Sequence, residues 1–371
     1  LLLAAWVAGL GAQRGPASSA DNHEANFLTR IRKLTVEGRR AGEGYWAPDG
    51  SALVFQSERE PGNPFYQIYT LDLTTGDTTR VSPGTGKTTC AFLRPGSDDV
   101  LFASTHVDPE AKAKQKAELD FRASGKSRRY AWDYDDRMEL FVAKRDGSNV
   151  RRLTDAPGYD AEGSYSPDGK LIAFCSMRHA FPLDKLSPED RKRMEVDPAY
   201  FGDIYLMNAD GSNVRRLTST PGYDGGPWWS PDGKQIVYRA YHPTDSTELA
   251  QYRDLLKQNM IRPNKMDLYV MNADGSNQHQ ITHLGGASFG PSWTHDGKQI
   301  IFSSNYTNPK SRNFDLYLVN VDGSGLEQVT HNTEFDGFPI FSPDGKKLLW
   351  ASNRYGSQPH ETNLFMADWK P

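Results

Sequence analysis

The chain has 371 residues, of which 37% are hydrophobic and 11% aromatic, and it contains 33 glycines and 23 prolines. This composition is typical of a folded protein rich in short β-strands, and it excludes general disorder. The formal net charge is −4, whereas most nucleic-acid-binding proteins have an excess of basic residues, so we expect no nucleic-acid partner.

The first ten residues, LLLAAWVAGL, are apolar and uncharged, and small polar residues follow them. This pattern is typical of the core of a secretory signal, and it is shorter than the roughly 20 apolar residues that cross a bilayer. We therefore expect residues 1–25 to form a leader, or an uncleaved anchor, with its linker. The protein is then exported, and it contacts a membrane only if the leader is kept.

Two sequence elements recur along the rest of the chain. The first is an Asp-Gly turn between apolar stretches, with copies YWAPDGSALVF, SYSPDGKLIAF, WWSPDGKQIVY, SWTHDGKQIIF and IFSPDGKKLLW and a degenerate copy, FLRPGSDDVLF. The second follows the first and has the form DIYLMNADGSNVRRLT. Asp-Gly supplies the positive φ angles of tight hairpins, so each unit reads as four antiparallel strands. Such a repeat of 40-odd residues is typical of propeller blades.

The number of units predicts how the ring closes. Five complete units run from Tyr45 to Thr330, and a sixth begins at Phe335 with three strands. The missing strand is matched by RIRKLTVEG at the other end, Arg30 to Gly38, which resembles NVRRLT of the other units. We predict an all-β fold in which residues 26–371 form a single six-bladed β-propeller of four-stranded antiparallel blades, and the N-terminal strand completes the last blade.

The repeats SPDGKxIxF and DGSNxxxLT resemble those of the TolB-type six-bladed propeller family. Three segments are similar to the sequences of stand-alone propellers exported by Gram-negative bacteria: GYDGGPWWSPDGK, RNFDLYLVNVDG and ETNLFMADW. The resemblance covers residues 30–371. It implies the propeller fold, a periplasmic location and a tendency to bind proteins, whereas no motif identifies a particular partner.

Long insertions at residues 107–137, 180–201 and 243–265 all fall between the second and third strands of consecutive units. We expect them to form one surface, here called the crown, on the face opposite the Asp-Gly turns. PEAKAKQKAELDF, the segment after Ser187 and the segment from Asp245 to Leu256 have helical patterns.

Aromatic and arginine side chains are enriched at interface centres, and the first insertion has several. We hypothesise that a protein partner binds there, at Arg128, Arg129, Tyr130, Trp132 and Tyr134. The alternative is that these aromatic residues pack the insertion onto its blade.

Residues at nearly equivalent ends of the second strands border the crown. We assign them to the same partner surface: His106, His179, His242, Tyr306 and Arg354. Three histidines invite a metal interpretation, but neighbouring blades diverge at their outer parts. We therefore expect hydrogen-bonded histidines and no bound metal.

The loops that enter the blades contain aligned carboxylates. We expect these residues to line the mouth of the central channel: Glu43, Asp160, Glu162, Asp224 and Asp336. A carboxylate ring would suit Ca²⁺, ordered water or a basic side chain of a partner. The alternative is that each aspartate caps its own loop. We otherwise expect no cofactor.

Motifs of catalysis are missing from the sequence. PGTGKTT at residues 83–89 resembles part of a phosphate-binding loop, but the repeat places a strand after it, and HExxH and CxxCH do not occur. Cys90 and Cys175 are expected as free thiols, with one disulfide bridge between them as the alternative.

The leading hypothesis is that the protein is a non-enzymatic periplasmic scaffold, as an extrinsic subunit of an envelope or membrane-protein complex. The alternatives are a lyase or hydrolase acting on carbohydrate or peptide at the channel mouth, and a small-ligand binder.

Overall fold

A computed structural model describes residues 23–126, 134–243, 247, 250, 265–358 and 361–370. Within them, the strands form six four-stranded antiparallel sheets, each of which is one blade. Each blade packs against the next, and the first strands of blades 1 and 6 contact each other, so the ring is closed. The predicted six-bladed propeller is confirmed.

The described chain begins with helix α1 (Glu24–Phe27) and strand β1 (Leu28–Lys33). Blade 1 comprises β2 (Ala41–Trp46), β3 (Ala52–Ser57), β4 (Gln67–Asp72) and β5 (Thr78–Arg80). Blade 2 comprises β6 (Thr88–Leu93), β7 (Asp99–Ser104), β8 (Glu139–Lys144) and β9 (Arg151–Arg152), with helix α2 (Ala111–Ala123) between β7 and β8. Blade 3 comprises β10 (Asp160–Tyr165), β11 (Leu171–Ser176), β12 (Asp203–Asn208) and β13 (Arg215–Arg216), with helix α3 (Pro188–Val196) between β11 and β12.

Blade 4 comprises β14 (Tyr223–Trp229), β15 (Gln235–Tyr241), β16 (Asp267–Asn272) and β17 (His279–Gln280). Blade 5 comprises β18 (Ser288–Trp293), β19 (Gln299–Ser304), β20 (Asp315–Asn320) and β21 (Glu327–Gln328). Blade 6 comprises β22 (Asp336–Phe341), β23 (Lys347–Ser352) and β24 (Asn363–Trp369), and β1 is its fourth strand. The apolar core lies in layers between neighbouring blades, as where Val54 and Ile68 of blade 1 pack with Phe102 and Phe141 of blade 2.

Strand β1 closes the ring as the sequence predicts. It pairs antiparallel with β24, from Leu28 opposite Trp369 to Lys33 opposite Phe365. The strand begins two residues before the predicted Arg30, because Leu28 is buried between blades 5 and 6 and pairs before the bulge that interrupts the ladder. Burial of this apolar end extends the pairing beyond the repeat motif.

A side-chain hydrogen bond recurs where the fourth strand of each blade ends. In blade 3, the hydroxyl of Thr218 accepts a hydrogen bond from the backbone N–H of Ile204 at 2.9 Å and donates one to Asp203 at 3.3 Å. We call this arrangement the threonine latch. The equivalent hydroxyl residues make the same pair of contacts in every blade: Thr35, Ser82, Thr154, Thr218, Thr282 and Thr330. The latch explains why the Leu-Thr ending and the polar start of the third strand recur together.

The two faces of the ring differ in their connections. The Asp-Gly hairpins lie on the turn face, where in blade 3 Asp168 accepts hydrogen bonds from the Ser166 hydroxyl and the Lys170 N–H. On the crown, α2 and α3 confirm the helices predicted in the first two insertions, and Ser187 caps α3 by accepting from the Asp190 N–H. Of the helix predicted from Asp245 to Leu256 in the third insertion, all but residues 247 and 250 lie outside the described part of the chain. Among the residues described, no helix is long and apolar enough to cross a membrane.

We predict that deleting residues 23–38 destabilises the whole ring, because blade 6 then loses its outer strand and exposes the edge of β24. Thermal unfolding followed by circular dichroism should show a melting temperature at least about 10 °C lower, or no folded protein. The control is Arg32→Ala, which alters an exposed side chain on the same strand. An unchanged melting temperature for the deletion would contradict the closure.

The threonine latch gives a second prediction. Thr218→Val keeps the shape of the side chain but leaves the buried N–H of Ile204 without its acceptor, which should cost about 1–3 kcal/mol of unfolding free energy. Thr218→Ser, which keeps the hydroxyl, should retain most of that energy. Urea denaturation of both variants beside Thr79→Val, an exposed threonine on β5, measures the effect. Equal stabilities of the two valine variants would show that the latch contributes nothing.

Candidate functional site

The first strand of each blade lines the central channel and contains a β-bulge near its middle. One residue at each bulge has a positive φ angle: Glu43 (43°), Cys90 (52°), Glu162 (58°), Gly226 (59°), Gly290 (58°) and Phe338 (55°). We call these six residues the bulge ring. Residues other than glycine rarely adopt this conformation, and when they do they cluster at functional sites. All six border one central cavity.

The charged side of the cavity is formed by blades 1 to 4. Glu162 accepts hydrogen bonds from the Gly226 N–H at 2.5 Å, from the Tyr223 hydroxyl at 3.1 Å and from the Arg239 guanidinium at 3.1 Å. The Tyr159 hydroxyl lies 3.3 Å from the other carboxylate oxygen. These donors satisfy the Glu162 carboxylate from several directions and fix its position.

Glu43 has a different environment on the same side. The Cys90 thiol donates a hydrogen bond to the Glu43 carboxylate at 3.4 Å. Within the described part of the chain, Glu43 makes no salt bridge. Burial raises the pKa of Glu43 to about 7, and the charge of Glu162 also raises it. The charge of Arg239 and the hydrogen bonds of Cys90 and Gln56 lower this pKa and offset part of the increase. The charge of Arg239 therefore acts on both carboxylates, but its hydrogen bond is to Glu162.

An aromatic cluster fills the channel on the turn side of the bulge ring. Tyr45, Phe92 and Trp228 come from blades 1, 2 and 4, two residues further along their strands than the bulge-ring residues. Their ring centroids are 5.3 Å apart for Tyr45 and Trp228, 4.9 Å for Phe92 and Trp228, and 6.1 Å for Tyr45 and Phe92. Because residues of opposite blades lie this close, this aromatic plug narrows the channel beneath the carboxylates.

A cluster of half-buried phenylalanines on blades 5 and 6 extends outward from Phe338, which borders the cavity. Phe289 lies 5.0 Å from Phe338 and 5.0 Å from Phe314, and Phe335 lies 6.0 Å from Phe314. We call these four side chains the aromatic rim. The mouth is therefore amphipathic, with carboxylates and a guanidinium on one side and phenylalanines on the other.

The structure places the predicted channel-mouth carboxylates in two locations. Glu43 and Glu162 border the cavity, whereas Asp160, Asp224 and Asp336 are fully buried inside their blades and do not border it. The aspartates pair instead with residues after the second strands of their own blades: Arg178 at 2.6 Å, His242 at 2.8 Å and Arg354 at 2.6 Å. Burial raises the pKa of all three. Their contacts are structural ties within a blade.

Each predicted histidine has a partner in its own blade. His106 packs on Phe141 with ring centroids 4.3 Å apart, and His242 binds Asp224. His179 lies 3.1 Å from Asp203, and its burial lowers its pKa to about 4. The residue of blade 3 that aligns with His106 and His242 is Arg178, one position earlier. In the described residues, no three His, Cys, Asp or Glu side chains are grouped to hold a metal.

The other predicted partner residues have varied locations. Tyr306 packs on Tyr317 with centroids 5.1 Å apart, and Arg354 binds Glu24 as well as Asp336. Tyr134 is half-buried and packs near Tyr159, which agrees with the packing alternative for that residue. Four predicted residues lie outside the described part of the chain: Arg128, Arg129, Tyr130 and Trp132.

The remaining sequence features are also located. Cys90 faces the channel and Cys175 is buried, and both are free thiols. The segment resembling a phosphate-binding loop leads into strand β6 rather than a helix. Sequence reasoning missed Cys90, Arg239 and Phe338 as residues of the mouth. Phe338 had a signal, since it stands six residues before its turn aspartate, as Glu43 and Glu162 do.

No protein-family model matches the chain. The chain is 31% identical over 204 residues to an uncharacterised protein of Agrobacterium fabrum, an alignment covering 54% of this chain and 55% of the relative. It is 25% identical over 219 residues to a TolB homologue of Chlorobium chlorochromatii, covering 51% of this chain and 48% of that protein. The chain therefore spans about half the length of these curated relatives.

Solved structures share the fold over most of their length. A TolB-like protein of Agrobacterium tumefaciens matches with a TM-score of 0.55 at 20% identity, covering 92% of this chain and 94% of that one. Oligogalacturonate lyase of Vibrio parahaemolyticus matches with a TM-score of 0.52 at 12% identity, covering 91% and 93%. At these identities the likeness shows the propeller fold alone.

Glu43 generates a prediction about stability and pH. The pKa of Glu43 in the folded protein, about 7, lies above its ordinary value of 4.5, so folding is favoured below pH 4.5 and loses that contribution as the pH rises through 7. Glu43→Gln has no proton to lose. Urea denaturation between pH 5 and pH 8 should show the variant gaining on the order of 2–3 kcal/mol relative to wild type.

The matched control is Asp344→Asn on the turn face, where the pKa of Asp344 is lowered by hydrogen bonds from Ser342 and Lys346. Its stability difference from wild type should stay constant over the same pH range. Parallel curves for Glu43→Gln and wild type would contradict the buried, proton-holding environment of Glu43.

Two observations agree on the kind of protein. The repeats align with a TolB homologue, and the described strands form a closed ring of six four-stranded blades. A TolB-like structure has the same fold over nearly its full length. The chain is a six-bladed β-propeller that is similar to TolB-like proteins in its repeats and its fold.

Proposed function

We propose that this propeller is a non-enzymatic periplasmic scaffold that binds a protein partner on its crown face, centred on the channel mouth. The observation that supports this most is the amphipathic mouth, in which the carboxylates of Glu43 and Glu162 face the aromatic rim. Interface centres combine apolar anchors with a few positioned polar groups, and this mouth offers both.

The contrast between the two faces supports the same choice of surface. On the turn face, the side chains of the hairpins bond within their own turns, as Asp232 does with Ser230 and Lys234. These hairpins are nearly identical from blade to blade and offer little to distinguish one partner from another. The crown has insertions of different length and sequence, and functional surfaces tend to be loops held by a rigid scaffold.

The location and assembly proposed here depend on the N-terminal segment and on the relatives. Residues 1–10 have the composition of a secretory signal core, and the fold is shared with TolB-like proteins. A periplasmic propeller with a binding face suits an extrinsic subunit of an envelope or membrane-protein complex. Fractionation of the native cells, with the protein followed by antibody, tests the location.

The test of the scaffold is recovery of the native partner from envelope extract. Phe335→Ala in the aromatic rim should reduce recovery, because truncating a central aromatic anchor commonly costs about 2 kcal/mol, roughly thirtyfold in affinity. Arg129→Ala and Trp132→Ala in the first insertion should also reduce it. The matched controls on the turn face, Lys234→Ala and Ser276→Ala, should leave recovery unchanged. If these two controls lose recovery while the crown variants keep it, the partner binds the turn face and the proposal is contradicted.

A lyase or hydrolase is the second candidate, and one observation favours it. Glu43, with its pKa near 7, lies beside the arginine-paired Glu162, and two carboxylates in such unequal environments are typical of acid–base pairs. Incubation with oligogalacturonate, followed by ultraviolet absorbance of unsaturated products, tests this candidate. Turnover that Glu43→Gln abolishes would support an enzyme, and no turnover would leave the scaffold as the better account.

A further inference from the structure

The charged groups of the mouth do not balance. The charged residues that border the cavity in the described part of the chain are two carboxylates, Glu43 and Glu162, and one cation, Arg239. Arg239 binds both Glu162 and the Tyr223 hydroxyl, at 3.1 and 3.0 Å. When both carboxylates are ionised, the described residues that border the cavity therefore have two negative charges and one positive charge, and the arginine is hydrogen-bonded to Glu162 rather than Glu43.

Within the part of the chain that the structure describes, the neighbours of Glu43 are polar but bring no cation of their own into salt-bridge distance. Cys90 donates a thiol hydrogen, and Gln56 supports the carboxylate through its side-chain amide. The other titratable or charged groups facing Glu43 are Tyr45, Glu162 and Arg239. A buried carboxylate in this setting is stabilised in its ionised form by a cation supplied from outside.

The walls around Glu43 suit a cation with an apolar stem. The aromatic plug presents Tyr45 and Trp228 beneath the carboxylate, and ring faces attract cations. Phe338 and Pro339 supply apolar wall on the side of the aromatic rim. Glycine at the bulge positions of blades 4 and 5 leaves the space between these walls open.

The cavity has room for a small ligand group. Its volume is about 70 Å³, well above the roughly 10–15 Å³ that a single water needs. A butylammonium group, which reproduces the lysine side chain from Cβ to Nζ, has five heavy atoms. A sugar ring with its hydroxyls has about twice as many, so a lysine side chain is the smaller of the two candidate ligands.

We propose that the channel mouth receives a single lysine side chain of the protein partner, with its ammonium against Glu43 and its alkyl chain between the aromatic plug and the aromatic rim. This inference rests on the proposed scaffold function and names the group that the scaffold recognises. The direction of the pH dependence follows from Glu43. The ammonium stays charged up to about pH 10, whereas Glu43 ionises near pH 7, so binding strengthens as the pH rises from 6 to 8.

The test uses the full chain with n-butylammonium chloride as the probe and n-butanol as its neutral match, at constant ionic strength. Ligand-observed NMR titration should show binding of butylammonium at pH 8, up to about tenfold weaker binding at pH 6, and no comparable binding of butanol. Glu43→Gln should lose at least about tenfold in affinity at pH 8 and should lose the pH dependence. Asp344→Asn, on the turn face, should bind as wild type does.

Equal binding of butanol and butylammonium, or wild-type affinity in Glu43→Gln, would overturn the inference. Calcium chloride that binds at Glu43 while butylammonium does not would also overturn it. The wild-type pH profile and the butanol comparison keep the test decisive even if Glu43→Gln fails to fold. Partner recovery separates the two proposals, because recovery that persists in Glu43→Gln but fails in Phe335→Ala contradicts the lysine and leaves the scaffold standing.

Discussion

The pairing of β1 with β24 is the constraint on which the rest of the molecule depends. A ring of blades is stable only if each blade packs between two others, and the sixth blade is completed by a strand from the opposite end of the chain. The Thr35 hydroxyl accepts from the Leu364 N–H at 2.9 Å, so the junction repeats the threonine latch of the other blades. Closure also brings Phe338 of blade 6 beside the charged side of the mouth.

The site arises from the same backbone irregularity repeated around this ring. Each first strand has a bulge, and each bulge places one residue with a left-handed backbone at the cavity. The fold therefore supplies six equivalent positions, and the chemistry depends on what occupies them. Carboxylates, a thiol, glycines and a phenylalanine at these positions make the mouth charged on one side and apolar on the other.

The sequence predicts the fold far better than the site, for a physical reason. Turn residues such as Asp168 and Gly169 act locally, so their repetition predicts blades, count and closure. Asp160 and Glu162 are two residues apart, and in a regular strand they would face the same side. The bulge between Ala161 and Ser164 breaks that alternation, so Glu162 borders the cavity while Asp160 turns into the blade. Arg239 comes from a second strand, where no repeat marks it.

The aromatic plug narrows the central channel, because Tyr45 and Trp228 come from opposite blades and their ring centroids lie 5.3 Å apart across the axis. A group that enters past Phe338 therefore meets aromatic rings before it reaches the turn face. A partner reaches these rings through a protruding group, and the hairpins of the turn face stay free to contact a different surface at the same time.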